Sequence, residues 1–303
     1  VRTHLDLLAH ALPELPHHLV LLGDRNEEPG PGFRSVTRVP FARRKPWTWR
    51  RAAAALREVR EPAVLHGHST FGGWVAALAH DGRPVVYTPH AHFTMIPTRG
   101  PKTAAKKALV RFERRLVPRA AVLVACGREE QAFIEASLPG RRVLLLPHGY
   151  DLPADTPPRA ERPIDYLFLG RFDWQKDPEA FVDFAARHPD AVCVAAGDGP
   201  LRPACLEKAR RLGLANLSFP GRVDETSSWM RRAKTFVLSS RYEGRPYSIL
   251  EAKAAGCEVL ALGKGPGMST LADEPIPPLV ESFQPLAALY AELAGRSTAR
   301  AQG

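Results

Sequence analysis

Short apolar runs alternate along this chain with longer stretches in which apolar residues recur at helical spacing. Val1, Leu5, Leu8 and Leu12 predict an opening helix over 1–12, and Leu19-Val20-Leu21-Leu22 predicts a strand over 19–24. Helices are then predicted over 47–59, 71–80, 101–116 and 129–136. Strands are predicted between them, over 63–66, 84–88, 121–126 and 142–146. Beyond residue 163 the same rhythm returns, with strands over 166–169, 191–196, 217–219, 235–238 and 258–262. Helices are predicted there over 178–187, 201–212 and 227–233, over a short stretch opened by Pro246, and over 284–294.

Strands that alternate with helices imply a parallel sheet covered on both faces. Pro153, Pro157, Pro158 and Pro163 interrupt the alternation near the middle of the chain. The expected organisation is therefore a first α/β domain over 1–153, a linker over 154–163, a second α/β domain over 164–283 and a closing helix and tail over 284–303. A parallel α/β domain ordinarily opens on a strand, whereas this chain opens on a helix. A first strand and its loop are expected ahead of Val1.

Composition narrows the class. No run of eighteen apolar residues exists, so no membrane span is expected, and the first residues form no signal peptide. The four cysteines (Cys126, Cys193, Cys205, Cys257) lack metal-ligand spacing and read as reduced, buried thiols of a cytoplasmic protein. Residues 1–150 carry 23 Lys and Arg against 12 Asp and Glu, a net of +11, while the remainder carries 19 against 20. A basic first half suits either a solvated surface or an anionic lipid or nucleic acid partner. The helix over 101–116 concentrates this charge in Lys102, Lys106, Lys107, Arg111, Arg114 and Arg115. No aromatic-interleaved basic motif accompanies it, so nucleic acid is not an expected partner.

Candidate chemistry lies at the strand ends of the second half. Gly170, Arg171 and Lys176 share one loop, whose two cations suit a diphosphate. Gly197-Asp198-Gly199-Pro200 forms a turn that exposes backbone N–H groups. In the stretch from Ser239 to Cys257, Gly244 allows an unusual turn and Pro246 opens a helix, which Gly256 closes in a left-handed cap. The helix start at Tyr247, Ser248 and Ile249 attracts anions, and Glu243 and Glu251 stand eight residues apart. Taken singly, each of these motifs is an ordinary turn or a surface charge.

In this order and spacing they resemble the retaining glycosyltransferases of family 4, which have the GT-B fold: two Rossmann-like α/β domains facing across a cleft. Glu243 and Glu251 match the family's Glu-x7-Glu signature, Gly170, Arg171 and Lys176 its Gly-Arg…Lys loop, and Gly197 and Gly199 its glycine turn. In the first half, His66-Gly67-His68-Ser69, Thr88-Pro89-His90 and Glu113 also resemble it. The resemblance implies roles. Arg171 and Lys176 would neutralise the donor diphosphate without a metal. Glu243 would bind the donor sugar, Glu251 the ribose, and His90 would lie near the sugar and acceptor. Catalysis is thus expected from Glu243, His90, Arg171 and Lys176. Donor contacts are expected from Gly170, Gly197, Gly199, Gly244, Pro246, Tyr247, Ser248, Ile249 and Glu251.

The implied reaction transfers a sugar, with retention, from a UDP- or GDP-sugar to a hydroxyl of a glycan, lipid-linked or natural-product acceptor. No other cofactor is expected. The basic half would bring the protein to the inner face of the membrane. A catalytically silent GT-B protein that binds a nucleotide or partner is the alternative. Three features depart from the family: its Gly-Gly loop is not seen, its Pro-Asn-Gly appears as Pro147-His148-Gly149, and Gly127 replaces its common Ser. No metal site is expected from His66, His68, His90 and His92, because no carboxylate or cysteine completes them and His66 and His68 are read as facing opposite sides.

Overall fold

The computed structural model describes residues 2–23, 30–42, 45–59, 64–118, 121–151, 158–266, 268 and 276–301. The chain divides into two compact units, Val1–Gly149 with Leu279–Gly303, and Tyr150–Pro278.

The first unit opens with α1 (Arg2–Ala11), β1 (His17–Leu22), β2 (Phe33–Val39) and α2 (Pro46–Glu58). The β1–β2 pair is parallel and forms a small sheet of its own. β2 escaped the sequence reading because its residues alternate between half-buried and exposed, and only Val39 is buried. There follow β3 (Leu65–His68), α3 (Ser69–Ala79), β4 (Val85–Thr88), α4 (Pro101–Leu116), β5 (Val122–Ala125), α5 (Arg128–Ser137) and β6 (Arg142–Leu145). These four strands lie side by side in chain order, all parallel.

The period-2 geometry of strands sorts their residues between two cores. Val85, Tyr87, Leu123 and Ala125 join Trp74, Ile134 and Leu138 on one face. Val86, Val122 and Val124 join Leu8, Leu12, Leu279, Phe283, Leu286, Leu289 and Leu293 on the other. This second face explains the closing helix. Expected over 284–294 as part of a tail, it runs from Leu279 to Ala301 and packs its apolar stripe on the first unit.

The second unit contains β7 (Ile164–Leu169), α6 (Pro178–Ala186), β8 (Cys193–Ala196), α7 (Arg202–Arg211) and β9 (Leu217–Gly221). It continues with α8 (Thr226–Arg231), β10 (Ala233–Leu238), α9 (Tyr247–Ala254) and β11 (Glu258–Ala261), which precede the closing helix α10 (Leu279–Ala301). The strand order β11-β10-β7-β8-β9 is parallel throughout. The C-terminal part of the predicted linker belongs to this unit: Arg162 is buried and donates to the carbonyl of Ala233. Residues 154–157 of that linker, Asp24 of the predicted strand 19–24 and Ala63 lie outside the described residues. All four cysteines are buried thiols, and burial raises those of Cys193, Cys205 and Cys257 to about 11, 12 and 11.

Candidate active site

In the second unit the chain starts at the central strand β7, builds outward through β8 and β9, then returns to place β10 on the other side of β7. The order therefore reverses between β7 and β10, and ligands of open α/β sheets collect at the carboxyl edge of such a switch point. The two loops that leave these strands carry the predicted residues.

They are tied together. Lys176 Nζ lies 2.7 Å from Glu243 Oε1, and both side chains are largely withdrawn from solvent. Ser239 Oγ donates to the Lys176 carbonyl at 2.8 Å, and the Arg241 N–H donates to the Gln175 carbonyl at 2.8 Å. Arg241 also pairs with Asp177 at 2.8 Å. Arg171 stands apart from this pair, largely exposed and 2.8 Å from Asp173. The turn after β8 packs beneath the same loop. Gly197 has φ 131°, and a side chain there would collide with the carbonyl of Gly170. Gly199, at φ 151°, is pressed against the backbone of Phe172 in the same way.

The stretch after β10 differs in detail from expectation. Gly244 is buried but does not adopt a positive φ, so no left-handed turn explains it. Pro246 caps α9 from an extended conformation and the helix begins at Tyr247. The Ile249 N–H donates to the Pro246 carbonyl and its side chain enters the core, so Ile249 presents neither to a ligand. Gly256 does close the helix with φ 70°, and the bonds Gly256 N–H to Lys253 and Cys257 N–H to Ala252 complete a Schellman motif. Glu251 is partly buried in α9, and desolvation raises its carboxyl above the usual range. Sequence reasoning passed over Arg245, which is buried, and the carbonyl of Pro266, which accepts from the Glu243 N–H at 3.0 Å. Burial in the fold reveals the first, and the pairing of remote loops the second.

In the first unit the parallel strands bring four successive carboxyl ends to one edge. His66 and His68 end β3, His90 follows β4, Cys126 follows β5 and His148 follows β6. The His66 and His68 rings share one side, with centroids 4.0 Å apart, which overturns the expectation of opposite faces. Residues two apart on a strand point the same way. His90 Nε2 lies 3.1 Å from His68 Nδ1, and its Nδ1 lies 3.8 Å from Cys126 Sγ. Burial, with the neighbouring imidazoles second, holds His4, His66 and His90 well below the usual histidine range. Burial brings His68 down to about 3.

Two buried glutamates shape the turn that carries His90. His90 and Ala91 both have positive φ, 53° and 76°. Glu130 accepts from the N–H groups of Ala91 and His92 at 2.7 and 2.9 Å and from that of Cys126 at 2.8 Å. Glu113 accepts from Trp74 Nε1 at 2.9 Å and the Tyr87 hydroxyl at 3.2 Å. His92 Nε2 lies 3.0 Å from its other oxygen. The acidic residue on the long helix is thus a buried anchor for the strained turn.

Residues 1–153 match Glycosyltransferase Family 4, and residues 155–275 match Glycosyl transferases group 1. The D-inositol 3-phosphate glycosyltransferase of Geodermatophilus obscurus is 30% identical over 287 residues, 80% of this chain and 63% of that protein. The chain spans about three fifths of the length of the curated relatives it matches over most of its own length. Among solved structures, sucrose-phosphate synthase from Thermosynechococcus elongatus superposes with a TM-score of 0.71 at 20% identity, covering 97% of this chain and 86% of that one. Anabaena HepE in complex with UDP-glucose superposes with a TM-score of 0.63 at 18% identity, covering 94% of each chain. At such identities the likeness shows the fold, which is GT-B with two Rossmann-like domains.

Proposed function

The chain belongs to glycosyltransferase family 4, and we propose that it moves a sugar, with retention and without a required metal, from a nucleotide-sugar donor to an acceptor hydroxyl. The observation that carries this reading is the Lys176–Glu243 pair, which joins two strand-end loops at the switch point of the second unit. Lys176 and the exposed, rotatable Arg171 supply positive charge to a diphosphate, and the start of α9 adds the positive end of a helix. With that charge in place, the bond from the anomeric carbon to the diphosphate oxygen breaks. The acceptor oxygen bonds to the anomeric carbon from the same side, and its proton passes to the departing diphosphate. Glu243 stands by the developing positive charge of the sugar, Glu251 takes the ribose hydroxyls, and His90 serves the transfer step.

The HepE complex with UDP-glucose supports the UDP-sugar among the UDP- and GDP-sugar donors of this reading. The relative named for D-inositol 3-phosphate supports a hydroxyl acceptor, with lipid-linked and natural-product acceptors in the same chemical class. Among the described residues no helix is long and apolar enough to cross a membrane. The reading places the protein in the cytoplasm, with α4 toward anionic lipid at the inner face. Ala105, Ala108, Leu109 and Phe112 form an exposed apolar stripe on α4, among Lys102, Lys107, Arg111 and Arg115.

Thermal-shift and hydrolysis assays over UDP-, GDP- and dTDP-sugars test the proposal. One donor should stabilise the full-length protein and be turned over, and Arg171→Ala and Glu243→Ala should abolish turnover. No stabilisation and no hydrolysis with any donor would refute it.

A further inference from the structure

The histidine cluster of the first unit exceeds what sugar transfer requires. His4 comes from α1, sixty or more residues before the strand ends it meets, and is buried. Its ring centroid lies 4.6 Å from that of His90, 4.8 Å from that of His148 and 5.2 Å from that of His68. One ring nitrogen from each of His4, His90 and His148 falls within 4.8 Å of the other two.

We propose that His4, His90 and His148 form a binding site for a late first-row divalent cation of the zinc type, with Cys126 beside it as a soft ligand for a fourth position. A tetrahedral zinc–imidazole site has bonds of about 2.0–2.1 Å, hence nitrogens roughly 3.3 Å apart. Drawing three nitrogens inward from separations of at most 4.8 Å takes up to about 0.9 Å of movement per ring, within reach of small side-chain rotations. No acidic ligand joins the trio among the described residues, which favours a borderline-soft cation over magnesium or calcium, which prefer oxygen.

Two further features fit. An outer support stands beside the three: His68 Nδ1 lies 3.1 Å from His90 Nε2. Behind it, His66 is fixed by the Tyr290 hydroxyl at 2.5 Å and by Thr88 Oγ1 at 2.7 Å. Such supports orient ligands and strengthen metal affinity. The expectation of no metal rested on His66, His68, His90 and His92. Of these only His90 belongs to the trio, and His92 is committed to Glu113. His4 and His148 join it only through the fold.

The test is direct binding by the full chain, with no sugar donor present, so it is independent of the transferase reading. Zinc and cobalt(II) are titrated and bound metal is counted by mass spectrometry, with cobalt ligand-field absorption as the coordination signature. One equivalent should bind with a tetrahedral cobalt spectrum. His148→Ala and His4→Gln should each weaken binding at least tenfold, while His80→Ala and His188→Ala, away from the cluster, should leave it unchanged. If the cluster variants do not fold, X-ray absorption on the zinc-loaded wild type decides, with three imidazole nitrogens expected at about 2.0 Å. Absence of stoichiometric binding, an oxygen-only coordination shell, or equal loss in the His80 and His188 variants would overturn the proposal.

Discussion

The ammonium of Lys176 stands 2.7 Å from Oε1 of Glu243 and so clasps two loops that are 67 residues apart in the chain. The Glu243 side chain is only 7% exposed, so it depends on that cation for compensation. Lys176→Met should cost about 2–3 kcal/mol, toward the low end for breaking a buried pair because Lys176 keeps some contact with water. The double variant Lys176→Met/Glu243→Gln should recover part of this loss. Urea unfolding measures both, and costs that simply add would show that the pair is not coupled. Each single variant should also lower kcat by on the order of 10² or more.

Glu113 anchors Trp74, Tyr87 and His92 around one buried carboxylate. Glu113→Ala leaves these groups buried without their acceptor, at an expected cost of about 3 kcal/mol. Glu113→Gln, which keeps one acceptor oxygen, should cost less than half as much. Hydrogen exchange over residues 90–93 should accelerate in the alanine variant, since His92 is tied to this carboxylate. Protection equal to wild type would disconnect Glu113 from the turn.

The histidine cluster makes stability depend on pH, and the sign follows from the direction of the shifts. In the unfolded chain these side chains titrate near about 6.5. In the folded state His4, His66 and His90 titrate well below that value and His68 at about 3. Below about pH 6.5 the unfolded state therefore takes up protons that the folded state refuses, and unfolding becomes easier. The contribution is fully present above the unfolded value and is lost as pH falls toward 3. Each residue adds a slope of about 1.4 kcal/mol per pH unit inside that window. Tyr290, which faces His66, lies outside this window, because burial raises its hydroxyl further above the usual range. The urea midpoint should drop steeply between pH 7 and 5, and less steeply in His66→Gln. A midpoint that is flat or rises on acidification would contradict the assignment.

Helix α4 is expected to touch anionic lipid through part of its charge only. Lys106 donates to the carbonyls of Thr94 and Ile96 at 3.0 and 2.8 Å, and Arg114 donates to that of Ser137 at 2.5 Å, so both serve the fold. Lys102, Lys107 and Arg111 remain on the outer surface with Leu109 and Phe112. A basic side chain near an anionic surface contributes about 1 kcal/mol, so reversing three to glutamate should weaken association by on the order of 10² or more. Flotation with vesicles containing phosphatidylglycerol reads this out. Equal binding to neutral vesicles, or binding insensitive to salt, would remove α4 from the membrane.

Local pattern alone was enough for much of this protein. Apolar runs and helical spacing located nearly every strand and helix, because buried strands and amphipathic helices write their period into neighbouring residues. Glu243, Lys176 and Gly197 were legible for a related reason: each sits in a short motif at a strand end, where backbone conformation and chemistry constrain the residue locally. β2 escaped because an edge strand with one buried residue carries little apolar signal. What no local pattern holds is which distant residues meet. The strand order puts the loops of Lys176 and Glu243 on either side of the switch point, and the closing helix goes to the first unit because that sheet has a second apolar face to cover. His4 looks unremarkable in the chain, His148 showed only as a departure from a family motif, and Glu113 only as an acid matching the family on a basic helix. Burial made them a cluster and an anchor, because a polar group withdrawn from water must find partners wherever the fold supplies them.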